Sequence, residues 1–235
     1  MSISTELLTR SQSSVIPIDQ PTHSYKLESH AAQSIQLQLQ IKRVADFLLS
    51  LIGLVLISPM LLVLAILVRL SSPGPVIYKS VRIGKDYQPI YMYKFRTMVQ
   101  NADRLWDDLK KDQTAQTELL KLKNDNRITP LGKFLRKYSL DEFPQLFNVL
   151  KGEMSLVGPR PFVPAESNIF KYPYTSRFSV MPGMTGPWQV SGRSDLSFDQ
   201  LCNIELKYVM QWSLLTDVLI LLKTLPCVLL KKGAY

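Results

Sequence analysis

The chain has 235 residues and carries 28 Lys and Arg against 19 Asp and Glu, which gives a formal net charge of +9. This length allows one sizeable domain with a tail, and the excess of positive charge favours an anionic partner such as nucleic acid, a phosphorylated small molecule or an anionic membrane surface. The only two cysteines, Cys202 and Cys227, lack C-x-x-C spacing, so we expect reduced structural thiols rather than a zinc or redox site.

The N-terminal segment, residues 1–40, is rich in Ser, Gln and Thr and predicts a disordered or loosely packed tail without a secretory signal peptide. Both histidines, His23 and His30, lie in this segment. If the tail stands apart, the folded part contains no histidine, which argues against a Ser-His-Asp triad and against a His-ligated zinc site. Any chemistry in the fold must then come mainly from Asp, Glu, Lys or Tyr.

Residues 41–70 contain an uncharged run between Asp46 and Arg69. As a helix, such a run is long enough to cross a hydrocarbon core of roughly 30 Å, so a spanning helix is one interpretation. Ser58-Pro59 in the middle of the run favours a second interpretation, in which the helix is bent. Pro59 removes the helical hydrogen bond to the carbonyl of Val55 and bends the helix, and the Ser58 hydroxyl can satisfy a carbonyl freed at the bend.

The charges on both sides of this run also bear on its topology. Positive segments stay on the cytoplasmic side, so a single span should show more Lys and Arg on one flank than on the other. Here both flanks are basic, with Lys42 and Arg43 before the run and Arg69, Lys79, Arg82 and Lys85 after it. This pattern suits a re-entrant helix that enters the membrane, bends at Pro59 and returns to the same face.

The remaining chain, residues 71–235, predicts a mixed catalytic domain. VIYKSVRIG and PIYMYKFRT indicate two strands joined by Gly84-Lys85-Asp86 as a hairpin, and residues 101–123 indicate an exposed, charged helix. Short helices are expected at 131–138 and 143–150, with a break at Pro144 and an end near Gly152. The apolar C-terminal segment, with Trp212 and Asp217, suits either an interfacial amphipathic helix or an ordinary core helix.

The stretch SLDEFPQL, residues 139–146, places two carboxylates side by side in this basic chain. Ser139 and Glu142 fit the S-x-x-E pattern of a helix capping box, with Asp141 in the first turn, and this is the structural interpretation. In the catalytic interpretation, Asp141 at the same helix start is a nucleophile. A helix start and Arg136 would keep Asp141 ionised, and an ionised carboxylate can attack phosphorus. Adjacent helical residues point apart, so the two acids should have different roles.

Five arginines lie beside turn or strand signals and are candidate phosphate ligands: Arg82, Arg96, Arg136, Arg160 and Arg193. Arg160 stands in GPRP, where prolines on both sides stiffen the backbone, and a fixed guanidinium can grip a phosphate through two parallel hydrogen bonds. A nucleic-acid-binding protein is not expected, because the basic residues are dispersed among apolar segments instead of forming a basic stripe with stacking aromatic residues.

Six ordered blocks resemble one known family: KRVAD, the mid-helix Ser58-Pro59, GPVIYKSVRIG, YKFRTM, RITPLGKFLRKYSLDEFPQLFNVLKGEMSLVGPRP and PGMTGPWQVSGRS. From Lys42 to Tyr235 the chain is similar to the bacterial sugar transferases that are monotopic polyprenyl-phosphate phosphoglycosyl transferases, in the short form without an N-terminal membrane bundle. The resemblance implies a mostly helical α/β membrane-associated fold, with a re-entrant membrane helix, interfacial amphipathic helices and a small cytoplasmic catalytic core with a β-hairpin.

The resemblance also implies a reaction. Asp141 attacks the sugar-linked phosphate of a UDP-sugar and releases UMP, and undecaprenyl phosphate then takes the phosphosugar, as the first membrane step of exopolysaccharide biosynthesis. Glu142 would bind Mg²⁺, Arg136 and Arg160 would bind phosphate, and Lys42, Arg43 and Asp46 would lie where the helix enters the membrane. UDP-glucose or UDP-galactose is the expected donor, with an N-acetylated amino sugar as the alternative.

The implied location is the inner (cytoplasmic) membrane of a bacterium, with the catalytic domain on the cytoplasmic face. The implied partners are the UDP-sugar, undecaprenyl phosphate, membrane lipid and downstream glycosyltransferases. A rival interpretation from another class is a non-catalytic, membrane-anchored adaptor whose basic surface binds anionic lipid.

Overall fold

The structure is a computed structural model that describes residues 22–102, 125–167 and 169–229. The chain divides into two compact units, residues 1–39 and 40–235. The described part of the first unit is helical from Thr22 onward, within the segment for which the sequence predicts a tail, and its apolar side chains Ile35 and Leu37 are exposed. The charged helix expected at 101–123 lies almost wholly outside the described residues.

Helix α1 (Thr22–Ser71) contains the apolar run without interruption. Pro59 lies inside it, and the Ser58 hydroxyl donates to the carbonyl of Val55 across 2.8 Å, which confirms the contact expected from the sequence. Among the described residues, the stretch Gln33–Ser71 is the one helix apolar and long enough to cross a membrane. Most of its large apolar side chains are exposed, Leu56 to 73%, which suits a helix surrounded by lipid rather than by protein.

Both ends of the apolar run pack on the unit formed by residues 40–235. At the first end, the Asp46 carboxylate accepts from the Ser155 hydroxyl and from the Leu156 N–H. At the second end, Leu64 and Val68 pack in a core cluster with Phe95 and Leu135. The helix therefore contacts the unit of residues 40–235 both before and after Pro59, at two different places.

The expected hairpin is present as antiparallel strands β1 (Ile77–Ile83) and β2 (Pro89–Phe95), paired from Ile77 opposite Phe95 to Ile83 opposite Pro89. The connection is a 3-10 turn at Lys85–Tyr87, in which Asp86 adopts a left-handed conformation with φ 51°. This conformation is tolerated by aspartate because its short polar side chain interacts locally.

Two short helices follow, α2 (Pro130–Lys137) and α3 (Gln145–Lys151), close to the bounds expected from the sequence. The Thr129 side chain caps α2 by accepting from the Gly132 N–H. A side chain at Gly132 would place Cβ only 2.0 Å from the carbonyl oxygen of Thr97, so glycine is required for α2 to lie against the end of β2.

The rest of the chain completes a mostly helical α/β fold. Strands β3 (Ser155–Val157) and β4 (Gly183–Thr185) pair in parallel, and the helices are α4 (Pro164–Ser167), α5 (Pro187–Ser191), α6 (Phe198–Met210) and α7 (Leu214–Leu229). Helix α7 is amphipathic: Asp217 and Ile220 are buried, whereas Leu215, Leu222 and Leu225 are exposed. Cys202 and Cys227 are free thiols, as expected.

Candidate active site

Asp141 and Glu142 lie in a single 3-10 turn, Leu140–Glu142, between α2 and α3. Ser139 adopts a left-handed conformation, with φ 55° and ψ 22°, and its carbonyl accepts from the Glu142 N–H. Its side chain makes no capping hydrogen bond within the described structure, so the capping-box interpretation of SLDEFPQL is wrong. The left-handed residue turns the chain sharply, which leaves Asp141 only 7% exposed.

The Glu142 side chain points instead to strand β2, where the Lys94 ammonium donates to its Oε1 atom across 2.7 Å. Lys94 and Glu142 are 21% and 35% exposed at their side chains, so water and a ligand can still reach the pair. Lys94 was not among the candidate residues from the sequence. Its position in YKFRTM, on the strand that flanks the carboxylates, was the signal that could have identified it.

The environment raises the pKa of Asp141 to about 6. Burial is the main cause, the neighbouring Glu142 charge adds to it, and Lys94 and Arg136 oppose it. We expected a helix start and Arg136 to keep this carboxyl ionised. Desolvation outweighs these positive neighbours and raises its pKa. Asp141 is nevertheless mostly ionised at pH 7, since its pKa lies below that pH.

Glu142 differs from its neighbour. Burial raises the pKa of Glu142, but the charge and hydrogen bond of Lys94, followed by the charges of Arg160 and Arg193, hold it below its ordinary value. The two adjacent carboxyls therefore titrate differently, with Glu142 the stronger acid. Two carboxyls in unlike environments are suited to unlike chemical roles.

Four of the five candidate arginines lie near this carboxylate pair. Arg136 donates from Nε to the Thr97 hydroxyl across 2.9 Å and lowers the pKa of Asp141. Arg160 and Arg193 act on the charge of Glu142. Burial and the charge of Arg160 lower the pKa of the Arg82 guanidinium, so these two cations are close together.

Arg96, the fifth candidate, is used elsewhere. Its guanidinium donates to the carbonyls of Val68, Ser72 and Pro75 and to the Ser72 hydroxyl, at the turn that follows α1. These contacts fix the turn between the helix and strand β1. The structure thus gives Arg96 a structural role in place of the expected phosphate contact.

The residues expected where the helix enters the membrane bind the core. Lys42 donates to the Asp217 carboxylate across 2.5 Å and to the Val157 carbonyl, which ties α1 to α7 and β3. Arg43 donates to the carbonyls of Val149 and Leu150 near the end of α3. Together with Asp46, which accepts from Ser155 and Leu156, Lys42 and Arg43 give α1 three charged groups that bind protein partners.

A metal site built wholly from protein is not present in the part of the chain that the structure describes, since no three His, Cys, Asp or Glu side chains gather there. Asp141 and Glu142 offer carboxylate oxygens beside an arginine cluster. Mg²⁺ is commonly bound by one or two carboxylates together with substrate phosphates and water. The donor set therefore fits a magnesium ion that arrives with a diphosphate.

Comparison with known proteins identifies the family of this chain. The family model described as "Bacterial sugar transferase" matches residues 37–231. The exopolysaccharide production protein ExoY of Sinorhizobium fredii is 41% identical over 198 residues, which cover 83% of this chain and 88% of ExoY. The undecaprenyl-phosphate galactose phosphotransferase of Salmonella typhimurium is 44% identical over 199 residues, 83% of this chain and 42% of that protein.

A third relative is the UDP-glucose:undecaprenyl-phosphate glucose-1-phosphate transferase of Escherichia coli, 39% identical over 204 residues, 83% of this chain and 41% of that protein. The chain thus spans most of ExoY but less than half the length of the other two relatives. The family match covers both the carboxylate pair and the arginine cluster. The chain belongs to the bacterial sugar transferase family and is a transferase enzyme.

Proposed function

We propose that this protein transfers a sugar 1-phosphate from a UDP-sugar to undecaprenyl phosphate, with release of UMP. The observation that carries the proposal is the buried, ionisable Asp141 beside Glu142, with Lys94 and arginines around them. Phosphoryl transfer requires positioning and neutralisation of phosphate charge, which such cations supply. The family and the names of the relatives support the same reaction class.

In the first step, a carboxylate oxygen of Asp141 attacks the sugar-linked phosphorus of the donor. A bond forms between that oxygen and phosphorus, and the bond from phosphorus to the bridging oxygen breaks, so UMP leaves with the bond electrons. In the second step, a phosphate oxygen of undecaprenyl phosphate attacks the same phosphorus and restores the Asp141 carboxylate. Nucleophilic catalysis of this kind divides one difficult transfer into two easier steps.

The pKa of about 6 suits Asp141 for this role. A carboxylate in a desolvated place is less stabilised by water than an exposed one, yet it still carries its charge at pH 7. Arg136 lies close enough to lower its pKa without forming a tight ion pair in the contacts described for it, so the carboxylate keeps its nucleophilic character.

Glu142 would hold Mg²⁺ in this site, together with phosphate oxygens of the donor. A bound Mg²⁺ supplies positive charge that stabilises the diphosphate and the departing UMP. The chain's own part is to keep Glu142 ionised, which Lys94, Arg160 and Arg193 do by lowering its pKa. The guanidinium groups of Arg82, Arg136, Arg160 and Arg193 would bind and orient the phosphates of the donor and the acceptor.

The apolar part of α1 is proposed to enter the cytoplasmic membrane and return to the cytoplasmic face as a re-entrant helix. The supporting observation is that Asp46 and Val68, on opposite sides of Pro59, both pack on the core of residues 40–235. A single spanning helix would carry one of these ends away across the bilayer. The exposed leucines of α7 would lie in the same interface.

The donor is proposed to be UDP-glucose or UDP-galactose, in agreement with the sugars named for the relatives, with an N-acetylated amino sugar as the alternative. The product would pass to downstream glycosyltransferases that build an exopolysaccharide, a pathway that the name of ExoY supports.

The test is UMP release by the purified chain in lipid nanodiscs, measured with a panel of UDP-sugars, with and without undecaprenyl phosphate. Limited UMP release without the acceptor, together with phosphosugar bound to Asp141, is the expected result. If UMP forms only when both substrates are present and no labelled protein accumulates, the covalent route is wrong. If no UDP-sugar yields UMP under either condition, the proposed reaction is wrong.

A further inference from the structure

Arg160 stands between two prolines in Pro159-Arg160-Pro161, a segment joined to strand β3 through Gly158. Proline lacks an N–H group, so Arg160 provides the only backbone donor of these three residues. A regular strand ladder cannot hold such a segment, and its polar backbone groups need other partners.

A buried ion pair supplies these partners. The Arg160 N–H donates to Glu205 Oε1 across 2.8 Å, and the Arg160 carbonyl accepts from Arg177 Nη2 across 2.6 Å. Arg177 also donates from Nε to Glu205 Oε2 across 2.7 Å, and its Nη2 contacts the same oxygen. One ion pair, formed between α6 and the 3-10 turn Tyr174–Ser179, thus holds both backbone polar groups of Arg160.

The pair is itself held firmly. Glu205 is fully buried, and the Arg177 guanidinium lies 4.3, 4.6 and 5.2 Å from the ring centroids of Phe162, Phe170 and Phe178. A planar cation between aromatic rings has little freedom to shift, since movement would lose both the ring contacts and the fork of hydrogen bonds. The backbone of Arg160 is therefore attached to a rigid support.

The side chain of Arg160 also packs on another part of the fold. Its guanidinium lies 4.4 Å from the ring centroid of Trp188 in α5, and it faces the charges of Glu142 and Arg82. Backbone and side chain are thus contacted by separate parts of the fold, and the guanidinium lies close enough to the carboxylate site for its charge to lower the pKa of Glu142.

Stability alone does not account for the ion pair. Burial removes both ions from water at a large cost in free energy, and well-packed apolar residues of similar volume are often as stabilising as a buried pair. The remaining hydrogen bonds of Arg177 and Glu205 both go to Arg160. This convergence indicates that the pair sets the position of Arg160.

We propose that Arg177 and Glu205 are positioning residues, which fix the backbone of Arg160 so that its guanidinium, lying on Trp188, meets the phosphate of the donor. The proposal rests on the proposed function, in which Arg160 binds phosphate. A shift of about 1 Å in a positioned group can cost roughly 10²-fold in rate, so loss of this support should be visible in catalysis.

The experiment is a double-mutant cycle of Glu205→Gln with Arg160→Ala. For each variant, kcat/KM for the UDP-sugar is measured from UMP release in nanodiscs. In the chain with Arg160, Glu205→Gln should lower kcat/KM by about 10- to 100-fold. In the Arg160→Ala background the same change should lower kcat/KM by less than about twofold, because residues that act through one group are not additive.

Leu201→Ala is the matched control. Leu201 lies in α6, like Glu205, and in the same aromatic cluster, so its loss weakens that packing without removing a hydrogen bond from Arg160. Leu201→Ala should lower the thermal midpoint while kcat/KM, measured well below that midpoint, stays within about twofold in both backgrounds. If Glu205→Gln does not fold, Arg177→Lys retains the charge, removes the fork of hydrogen bonds and takes its place in the cycle.

Two results would overturn the proposal. One is that the Glu205→Gln effect persists in full in the Arg160→Ala background, or is no larger than that of Leu201→Ala. The other is that Arg160→Ala leaves kcat/KM unchanged, because the pair would then have no functional group to position. In the second case UMP release by the unmodified chain would still support the proposed function, so the two failures are distinguishable.

Discussion

Lys94 and Glu142 are 48 residues apart in the chain, yet the Lys94 ammonium donates to Glu142 Oε1 across 2.7 Å. The contact joins strand β2 to the 3-10 turn that carries Asp141. It makes Glu142 the stronger acid of the pair, whereas burial and the Glu142 charge raise the pKa of Asp141. The adjacent carboxyls thus differ in part because a lysine on a distant strand donates a hydrogen bond to Glu142.

The first prediction concerns the nucleophile. Asp141→Asn should lower kcat at least about 10³-fold, because the amide cannot form the acyl-phosphate, and no phosphosugar should remain on the protein. UMP release and intact-protein mass spectrometry after incubation with UDP-sugar alone measure both effects. Asp199→Asn, at an exposed aspartate in the first turn of α6, is the control and should retain activity and labelling. Normal turnover by Asp141→Asn would exclude a covalent role for Asp141.

The second prediction concerns the pH dependence of the first half-reaction. With a pKa of about 6, Asp141 loses its charge as the pH falls through that value, so kcat/KM for the UDP-sugar should decrease on the acid side with a midpoint near 6. UMP release from pH 5 to 8, with stability checked at each pH, measures the profile. A rate that stays constant down to pH 5 would contradict the assignment.

The third prediction concerns stability at the same residue. The folded-state pKa of Asp141, about 6, lies above the ordinary value of 3.8, so its contribution to stability is fully present below pH 3.8 and is lost as the pH rises through 6. Asp141→Asn should therefore raise the free energy of unfolding at pH 7, on the order of 1–3 kcal/mol, with little gain at pH 3.5. Denaturant unfolding at the two pH values is the measurement, and an equal gain at both would disprove the linkage.

The fourth prediction concerns Lys94. Lys94→Met should raise the pKa of both Asp141 and Glu142, because the lysine lowers both, and should shift the acid limb of the pH profile to higher pH. Activity at pH 7 should fall, and the concentration of Mg²⁺ required for half-maximal activity should change. Lys79→Met, at an exposed lysine of the same hairpin, should behave like the unmodified chain. If the two variants gave the same profile, the Lys94 contact would have no part in tuning the carboxyls.

The fifth prediction separates Arg96 from the other arginines. Arg96→Gln should destabilise the fold by about 2–4 kcal/mol, because it strands carbonyls at the end of α1, with KM for the UDP-sugar nearly unchanged. Arg136→Gln should instead raise KM or lower kcat with a smaller loss of stability. Thermal unfolding and UMP kinetics on the same preparations compare them. A large rise in KM for Arg96→Gln would restore the phosphate contact that the sequence suggested.

Sequence alone determined features that depend on nearest neighbours or on one contiguous segment. Segments rich in Val, Ile and Tyr on both sides of Gly84-Lys85-Asp86 defined the hairpin, Pro144 marked the break before the second short helix, and the ordered blocks identified the family. These signals are local, or are read one after another along the chain, so no knowledge of packing is needed to find them.

Only the tertiary structure decided which side chains meet. Glu142 accepts a hydrogen bond from Lys94 instead of forming a capping box, and Arg96 donates to carbonyls in the turn after α1. Arg177 and Glu205 bind the backbone of Arg160. Desolvation made Asp141 a weaker acid than its charged neighbours suggested, because burial depends on everything packed around a group. The residues of the site could thus be predicted from the sequence. Their hydrogen-bond partners and their acidity depend on contacts between segments far apart along the chain.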